Sequence, residues 1–369
     1  MKILVLAIPV GAGHMKAAQS IIQAITELQP DMVTQFENCF DWTYPLYGRI
    51  YTKVYDFGQK RSRIILKFLY RGTGVNSGSA WFLYKMHKIL AYKFECLIKE
   101  TKPDYVLCTH FSPGYFSALY KKNYHYKIGT VITDYYIHPH WVNNEIDHYF
   151  IPHEYLIEQV MSYGASEEKI FPFGIPVASE LEKEVDRNSV RQRFGLSEKR
   201  ISVVVMGSKV FGGEWFEIVR EIVDFDYDLL VLCGENKQAI EQIKRLKGRA
   251  NLKIYGMVEG IHDLIGTCDI LITKAGGITT TEASRAGPCL LFANSIVGLE
   301  DKNEDFFIKH NAALRIDKYN AKRNLSDLLV HPVKMQEMRK NLKKIGKRDS
   351  VLNIAKIILG SVSDAKRRV

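Results

Sequence analysis

The chain has 369 residues, 46% apolar and 25% charged, a balance that excludes a disordered polypeptide and calls for two cores rather than one. Lysine and arginine (51) outnumber aspartate and glutamate (41), and the net charge of +10 favours an anionic partner: nucleic acid, an anionic lipid surface or a phosphorylated substrate. The six cysteines are scattered with no C-x-x-C pair, which argues for reduced core thiols in a cytoplasmic protein and against structural zinc, and no stretch reaches the roughly 18 apolar residues that span a bilayer.

Ile3 to Val10 is a continuous apolar run, the pattern of a parallel strand covered on both faces, and too short for a signal peptide. Gly11-Ala12-Gly13-His14 turns the chain. Ala18, Ile21, Ile22, Ile25 and Leu28 then recur at helical spacing up to Pro30. The turn has no G-K-[ST], so it is not a Walker loop, and Lys16 spoils the dinucleotide fingerprint. His14 stands at the carboxyl end of the strand, the end that borders the ligand crevice in open α/β sheets. An imidazole there suits a general base, and equally a turn cap or a surface residue.

Residues 40 to 95 mix aromatic side chains (Trp42, Tyr44, Tyr47, Tyr51, Trp81) with cations (Arg49, Lys53, Arg61, Arg71, Lys88). That mixture suits an anionic membrane interface, single-stranded nucleic acid, or two core helices with solvated basic faces. Gly72 to Ser79 reads as a loop within it. Alternation then resumes: strand Asp104 to Thr109, a turn at Phe111 to Gly114 leading into a short helix, and strand Ile128 to Thr133. Asp134, His138, His140 and Trp141 cluster past that strand's end. The i, i+2 spacing of the two histidines is uncommon for metal ligands, so a substrate-binding loop is the better expectation, with Gly13, Asp134, His138 and Trp141 on the acceptor side. Short strands at His148 to Pro152 and Lys169 to Phe173 lead to Gly174-Ile175-Pro176-Val177, the exit from the first domain.

Glu180 to Arg200 reads as linker plus helix. Ile201 to Met206 is a buried strand followed by Gly207-Ser208-Lys209. The plan repeats at Leu229 to Cys233, at Leu252 to Tyr255 with Gly256, at Cys268 to Ile272 and at Leu290 to Ala293. This is a second parallel sheet with helices on both faces. Its Thr273 to Gly287 stretch, TKAGGITTTEASRAG, reads as a strand end, a glycine turn and a helix start. Glycine lets backbone approach a ligand closely, and the free amides and dipole of a helix start suit a phosphate. The plainer alternative is an ordinary turn with a threonine cap. From Pro332 the chain is basic and helical, ending in an amphipathic helix, Val351 to Leu359.

Five segments together carry a resemblance: GAGHMKAAQSI (Gly11 to Ile21), TDYYIHPHW (Thr133 to Trp141), GIPV (Gly174 to Val177), YGMVEGIHDL (Tyr255 to Leu264) and TKAGGITTTEASRAG. The chain resembles glycosyltransferase family 28, in its branch of monogalactosyldiacylglycerol synthases and processive diacylglycerol glucosyltransferases. That resemblance implies the α/β GT-B plan, two Rossmann-like doubly wound domains facing a cleft. The first would span 1–178 and the second 179–350, with 351–369 returning onto the first. It implies that His14 is the base for an acceptor hydroxyl and that the second domain holds a UDP-sugar. Backbone near Gly256, Met257 and Val258 would contact uracil, and Glu282 the ribose. Gly276, Gly277, Ile278 and Thr279 would hold the diphosphate, with Gly207 and Ser208 also on the donor side, in a site with no metal and no cofactor beyond the donor substrate. In the family's P-G-Q-E-x-x-N segment, Gln and Glu hold hydroxyls of the donor sugar. Here Glu300 and Asn303 remain, but Leu299 replaces Gln, which leaves the sugar open.

The expected activity is inverting transfer of a hexose from a UDP-sugar to a membrane lipid such as diacylglycerol. The protein would work peripherally at the anionic inner face of the cell membrane, with no nucleic-acid partner. Rival readings are a lipid-linked peptidoglycan N-acetylglucosaminyl transferase, a UDP-sugar 2-epimerase and a non-catalytic sugar-nucleotide sensor.

Overall fold

The structure is a computed structural model that describes residues 1–10, 13–61, 89–177, 186–207, 213–295 and 300–367, with backbone alone at 54–61 and 364–367. The Gly72 to Ser79 loop, most of the basic-aromatic stretch, Ser208 and Leu299 lie outside the described residues. The chain forms two units, one of residues 1–179 and 347–369, the other of residues 180–346.

The first unit runs β1 (Lys2–Ala7), α1 (Gly13–Leu28), β2 (Val33–Asn38), α2 (Pro45–Arg61), α3 (Phe94–Thr101), β3 (Tyr105–Cys108), α4 (Phe111–Tyr124), β4 (Lys127–Val131), β5 (His148–Phe150), α5 (Ile157–Ser162) and β6 (Ile170–Phe171). The described strands make one parallel sheet in the order β2-β1-β3-β4-β5-β6. Strand β1 lies inside the sheet, next to the edge strand β2, and is buried from Ile3 onward, which is why its sequence is apolar on both faces. It ends at Ala7, short of the Val10 expected.

Two corrections concern local signals. Phe111 to Gly114 is the first turn of a long helix, α4, rather than a turn before a short one. His110 caps that helix by accepting a bond from the Ser112 amide at 3.2 Å, and Pro113 is tolerated because a first turn has no use for its missing N–H. The edge strand β2, VTQFEN, has no buried residue, so it lacks the apolar run that marks β1.

The second unit runs α6 (Arg187–Arg193), β7 (Ser202–Met206), α7 (Glu214–Ile222), β8 (Asp228–Leu232), α8 (Lys237–Lys244), β9 (Asn251–Tyr255), α9 (Ile261–Thr267), β10 (Ile270–Thr273), α10 (Gly277–Ala286), β11 (Cys289–Phe292), α11 (Glu300–Lys309), β12 (Ala313–Arg315), α12 (Ala321–Val330) and α13 (Pro332–Ile345). Its described strands are also all parallel, in the order β12-β11-β10-β7-β8-β9. The expected strand from Cys268 begins two residues later, because Cys268 caps the end of α9. Of the six cysteines five are buried, whereas Cys96 is exposed on the outer face of α3.

After Lys347 the chain rejoins the first unit as α14 (Ser350–Arg367). Val351, Ile354, Ala355, Ile358 and Val362 fall on one helical stripe and enter the core formed by Ala18, Ile21 and Ile25 of α1 with Ile3 and Val5 of β1. Gly174, at φ +97°, lies against the start of this return: a Cβ there would sit 2.6 Å from both Lys347 Cβ and Ser350 Oγ. Among the described residues no helix is long and apolar enough to cross a membrane.

Candidate active site

Gly13 is the first residue of α1, and His14 follows it at the carboxyl end of β1. The imidazole Nδ1 is 2.6 Å from the Thr109 carbonyl oxygen, at the end of the neighbouring strand β3, and 3.1 Å from Thr133 Oγ1, beyond β4. A carbonyl oxygen only accepts, so Nδ1 carries the proton and donates it to Thr109. The lone pair is then on Nε2, the tautomer a base requires. Burial pushes the imidazole down to about 4 against the raising effect of that hydrogen bond, so His14 is neutral at ordinary pH.

A second histidine supports the first. His110 is buried, and its ring meets that of His14 edge-on at 4.9 Å. Burial, and then the charge His14 could carry, hold it well below the usual histidine range. Its Nδ1 is taken by the α4 cap, which fixes its tautomer as well.

Trp141 packs near His110 and Phe111 at centroid separations of 6.0 Å and is 4% exposed, so its ring is part of the packing of this cluster. His138 caps its own short turn, accepting from the His140 amide at 3.3 Å, which explains the i, i+2 spacing without a metal. Asp134 is half-buried just past Thr133.

In the second unit, parallel strands put every β-to-α turn along one edge. Gly207 follows β7, Gly256 follows β9 and the Gly276–Gly277 pair follows β10. Met257 is 70% exposed and Val258 half-buried, beside a Gly256 whose Cβ would lie 3.2 Å from the Gly234 carbonyl.

The turn after β10 is held from several directions. The Gly276 amide donates to Lys274 O at 2.9 Å. The Ala275 amide donates to Ser295 Oγ at 3.2 Å, and the Asn303 side-chain amide donates to Ala275 O at 3.0 Å. Helix α10 then starts at Gly277 with Gly276 as its cap and no side-chain capping bond. The threonine cap of the plainer alternative is not used. Thr280 and Thr281 are turned the other way, their hydroxyls donating to the carbonyls of Gly276 and Gly277 at 2.8–2.9 Å. The first amides of α10, at Gly277, Ile278 and Thr279, therefore have no side-chain cap among the described residues, with Gly277 itself buried and Ile278 and Thr279 half-buried.

Gly276 itself has φ −76° and ψ 135°, open to any residue, and a Cβ there would meet Glu300 Oε1 at an ordinary 3.8 Å. Neither backbone conformation nor packing among the described residues asks for glycine, and a glycine here leaves room for close approach of a ligand.

Two carboxylates flank these amides. Glu282, one turn into α10, is 4% exposed, with His262 Nδ1 of α9 at 2.8 Å from its Oε1. Glu300, the first residue of α11, is 5% exposed, with Lys274 Nζ at 2.6 Å. Asn303 is fully buried, so its contribution is to pin Ala275. Sequence reasoning gave no role to Thr109, His110, His262, Lys274 or Ser295. Lys274 and His262 lie inside the motifs quoted above, but only the strand order brings each to its carboxylate. Neutral imidazole on one unit, and bare amides with two carboxylates on the other, can deprotonate a hydroxyl and hold a nucleoside diphosphate.

Comparison with known proteins is consistent across the chain. Residues 14–177 match the family described as monogalactosyldiacylglycerol (MGDG) synthase, and residues 208–357 match the glycosyltransferase family 28 C-terminal domain. A processive diacylglycerol beta-glucosyltransferase of Bacillus licheniformis is 27% identical over 93% of this chain and 90% of its own length. The protein of that name from Bacillus subtilis is 24% identical over 98% and 94%. MurG of Acinetobacter baumannii has the same fold, with a TM-score of 0.64, 14% identity and coverage of 97% and 99%. So does MnaA of S. aureus in a structure with UDP, at 0.63, 15%, 96% and 94%. The chain is thus a GT-B glycosyltransferase, with a front half that matches the MGDG synthase family and a rear half that matches the glycosyltransferase family 28 C-terminal domain.

Proposed function

We propose that this protein transfers a hexose, with inversion, from a UDP-sugar to the hydroxyl of a membrane lipid of the diacylglycerol class. The observation that carries the donor half is Gly276, a glycine that neither its backbone conformation nor its packing among the described residues requires, beside a start of α10 with no side-chain cap. The names of the relatives supply the lipid class.

In this account the diphosphate lies on the amides of Gly277 to Thr279, and Glu282 accepts from the ribose hydroxyls. Glu300 faces the sugar. His14 Nε2 takes the proton of the acceptor hydroxyl as its oxygen attacks the anomeric carbon, and UDP departs from the opposite face.

The acceptor resides in a bilayer, and the first unit offers a surface suited to one. Tyr44, Leu46 and Ile50 of the α2 region are 48%, 51% and 56% exposed, and Ile89 and Tyr92 are 68% and 48% exposed. Arg49, Lys53 and Lys93 are exposed among them. Aromatic and aliphatic side chains with cations between them favour an anionic lipid interface, which supports peripheral work at the inner face of the cell membrane.

The test is incubation with labelled UDP-glucose, UDP-galactose and UDP-N-acetylglucosamine and diacylglycerol vesicles, followed by lipid extraction. Label in the lipid phase from one donor, lost in His14→Ala, is the expected result. A second reading is favoured by one observation: a putative UDP-N-acetylglucosamine 2-epimerase from Listeria monocytogenes shares the fold, with a TM-score of 0.61. That reading requires a C2-epimerised nucleotide sugar formed with no lipid present.

A further inference from the structure

Lys274 follows the last residue of β10 and precedes the glycine turn, and its Nζ is 2.6 Å from Glu300 Oε1. The lysine side chain is 28% exposed, the glutamate side chain 7%. The same Oε1 stands 3.8 Å from where a Cβ of Gly276 would be. The ammonium and the start of α10 therefore meet around one carboxylate oxygen, at the place where the proposed donor changes charge.

Transfer forms the bond from the acceptor oxygen to the anomeric carbon and breaks the one from that carbon to the β-phosphate oxygen. The acceptor proton passes to His14, and the diphosphate leaves with one more negative charge than it had as a diester. Bare helix amides answer part of that charge, on the order of half an elementary charge at a helix start. A lysine supplies a full one on a flexible stem that can move a few ångströms.

Resting on the donor site described above, we propose that Lys274 is a donor-binding residue for nucleoside diphosphates, with Glu300 as its partner before the donor binds. When the donor arrives, the ammonium turns to the diphosphate, and the Glu300 oxygen it leaves accepts from a sugar hydroxyl. One exchange then links recognition of the phosphate to recognition of the sugar.

The simpler role for Lys274 is to neutralise a buried carboxylate, and the variants are chosen to separate the two. UMP, UDP and the UDP-sugar found to be the donor are titrated calorimetrically into wild type, Lys274→Met, Lys274→Arg and the double variant Lys274→Met/Glu300→Gln, each checked by thermal melting. The proposal expects Lys274→Met to keep UMP binding within about threefold while losing at least tenfold for UDP. Lys274→Arg should recover part of that loss, and the double variant should stay as weak for UDP as the single one. A double variant that regains wild-type UDP affinity overturns the role of Lys274 and leaves the donor site standing. A wild-type protein that binds no UDP overturns the site itself, and the proposal with it.

Discussion

An imidazole whose Nδ1 is committed to a backbone carbonyl acts through one nitrogen, and His14 is held in that state by Thr109, 95 residues away. Burial brings its pKa to about 4, so the free protein's kcat/KM should fall on the acid side near pH 4 and stay level, as far as His14 is concerned, from about 5 upward. An acid limb centred near the ordinary histidine value of about 6.5 would assign the base elsewhere. His14→Ala should lower kcat by about 10²–10⁴ while leaving UDP affinity unchanged, since the proposed UDP site lies wholly in the second unit. Asn303→Leu removes the donor that pins Ala275 O and leaves a buried carbonyl unpaired, a loss of about 1–3 kcal/mol. UDP affinity should drop in that variant although Asn303 itself is too buried to touch a ligand, and calorimetry reads both effects. The type of each of these residues was legible in the sequence, and its partner was not. Lys274 and Glu300 are 26 positions apart, and nothing along the chain announces a pair that exists because β10 and β11 are neighbours.

At the scale of elements, burial decided what could be read. Strands buried over most of their length, such as β1, β7, β8 and β10, appear in the sequence as runs of apolar residues interrupted only at their ends. The edge strands β2 and β12 are half solvated and carry no such mark. The Ser-Pro-Gly of α4 mimics a turn, because a helix's first turn and a free turn favour the same residues. Helix α14 makes a direct test of packing. Ile358 is fully buried against the α1 and β1 core, so Ile358→Ala should destabilise the first unit by about 2–5 kcal/mol. A chain ending at Gly346 should lower the melting transition of that unit further, because it uncovers the whole stripe from Val351 to Val362. Differential scanning calorimetry checks both, and an unchanged transition in either would mean that the return helix is not part of that core.

Over the whole molecule, acid should act first on the first unit. His14 and His148 are both pushed by burial to about 4, and His110 lies well below the usual range. The unfolded chain, with histidines near 6.5, binds more protons than the folded one between about pH 6.5 and 4. Stability from these groups is therefore complete above about 6.5 and declines as pH falls through that window. Burial also works against the charge of Asp147, but Lys121, the Ile128 amide and Lys127 outweigh it and hold its carboxyl below the usual range, so its contribution is lost only at still lower pH. Melting followed from pH 7.5 to 5 should show a falling transition, less steep in His148→Gln; a transition that rises on acidification would contradict the neutral, buried histidines.

The claim on which the rest depends is that a nucleoside diphosphate occupies the space left by the missing side chain of Gly276. Calorimetric titration of UDP into wild type and Gly276→Ala tests it most directly, because the backbone there accepts alanine and among the described residues the added methyl meets only Glu300, at 3.8 Å. The account predicts the same melting temperature for the two proteins and at least a hundredfold loss of UDP affinity in the variant. Equal UDP affinity in the two would contradict it.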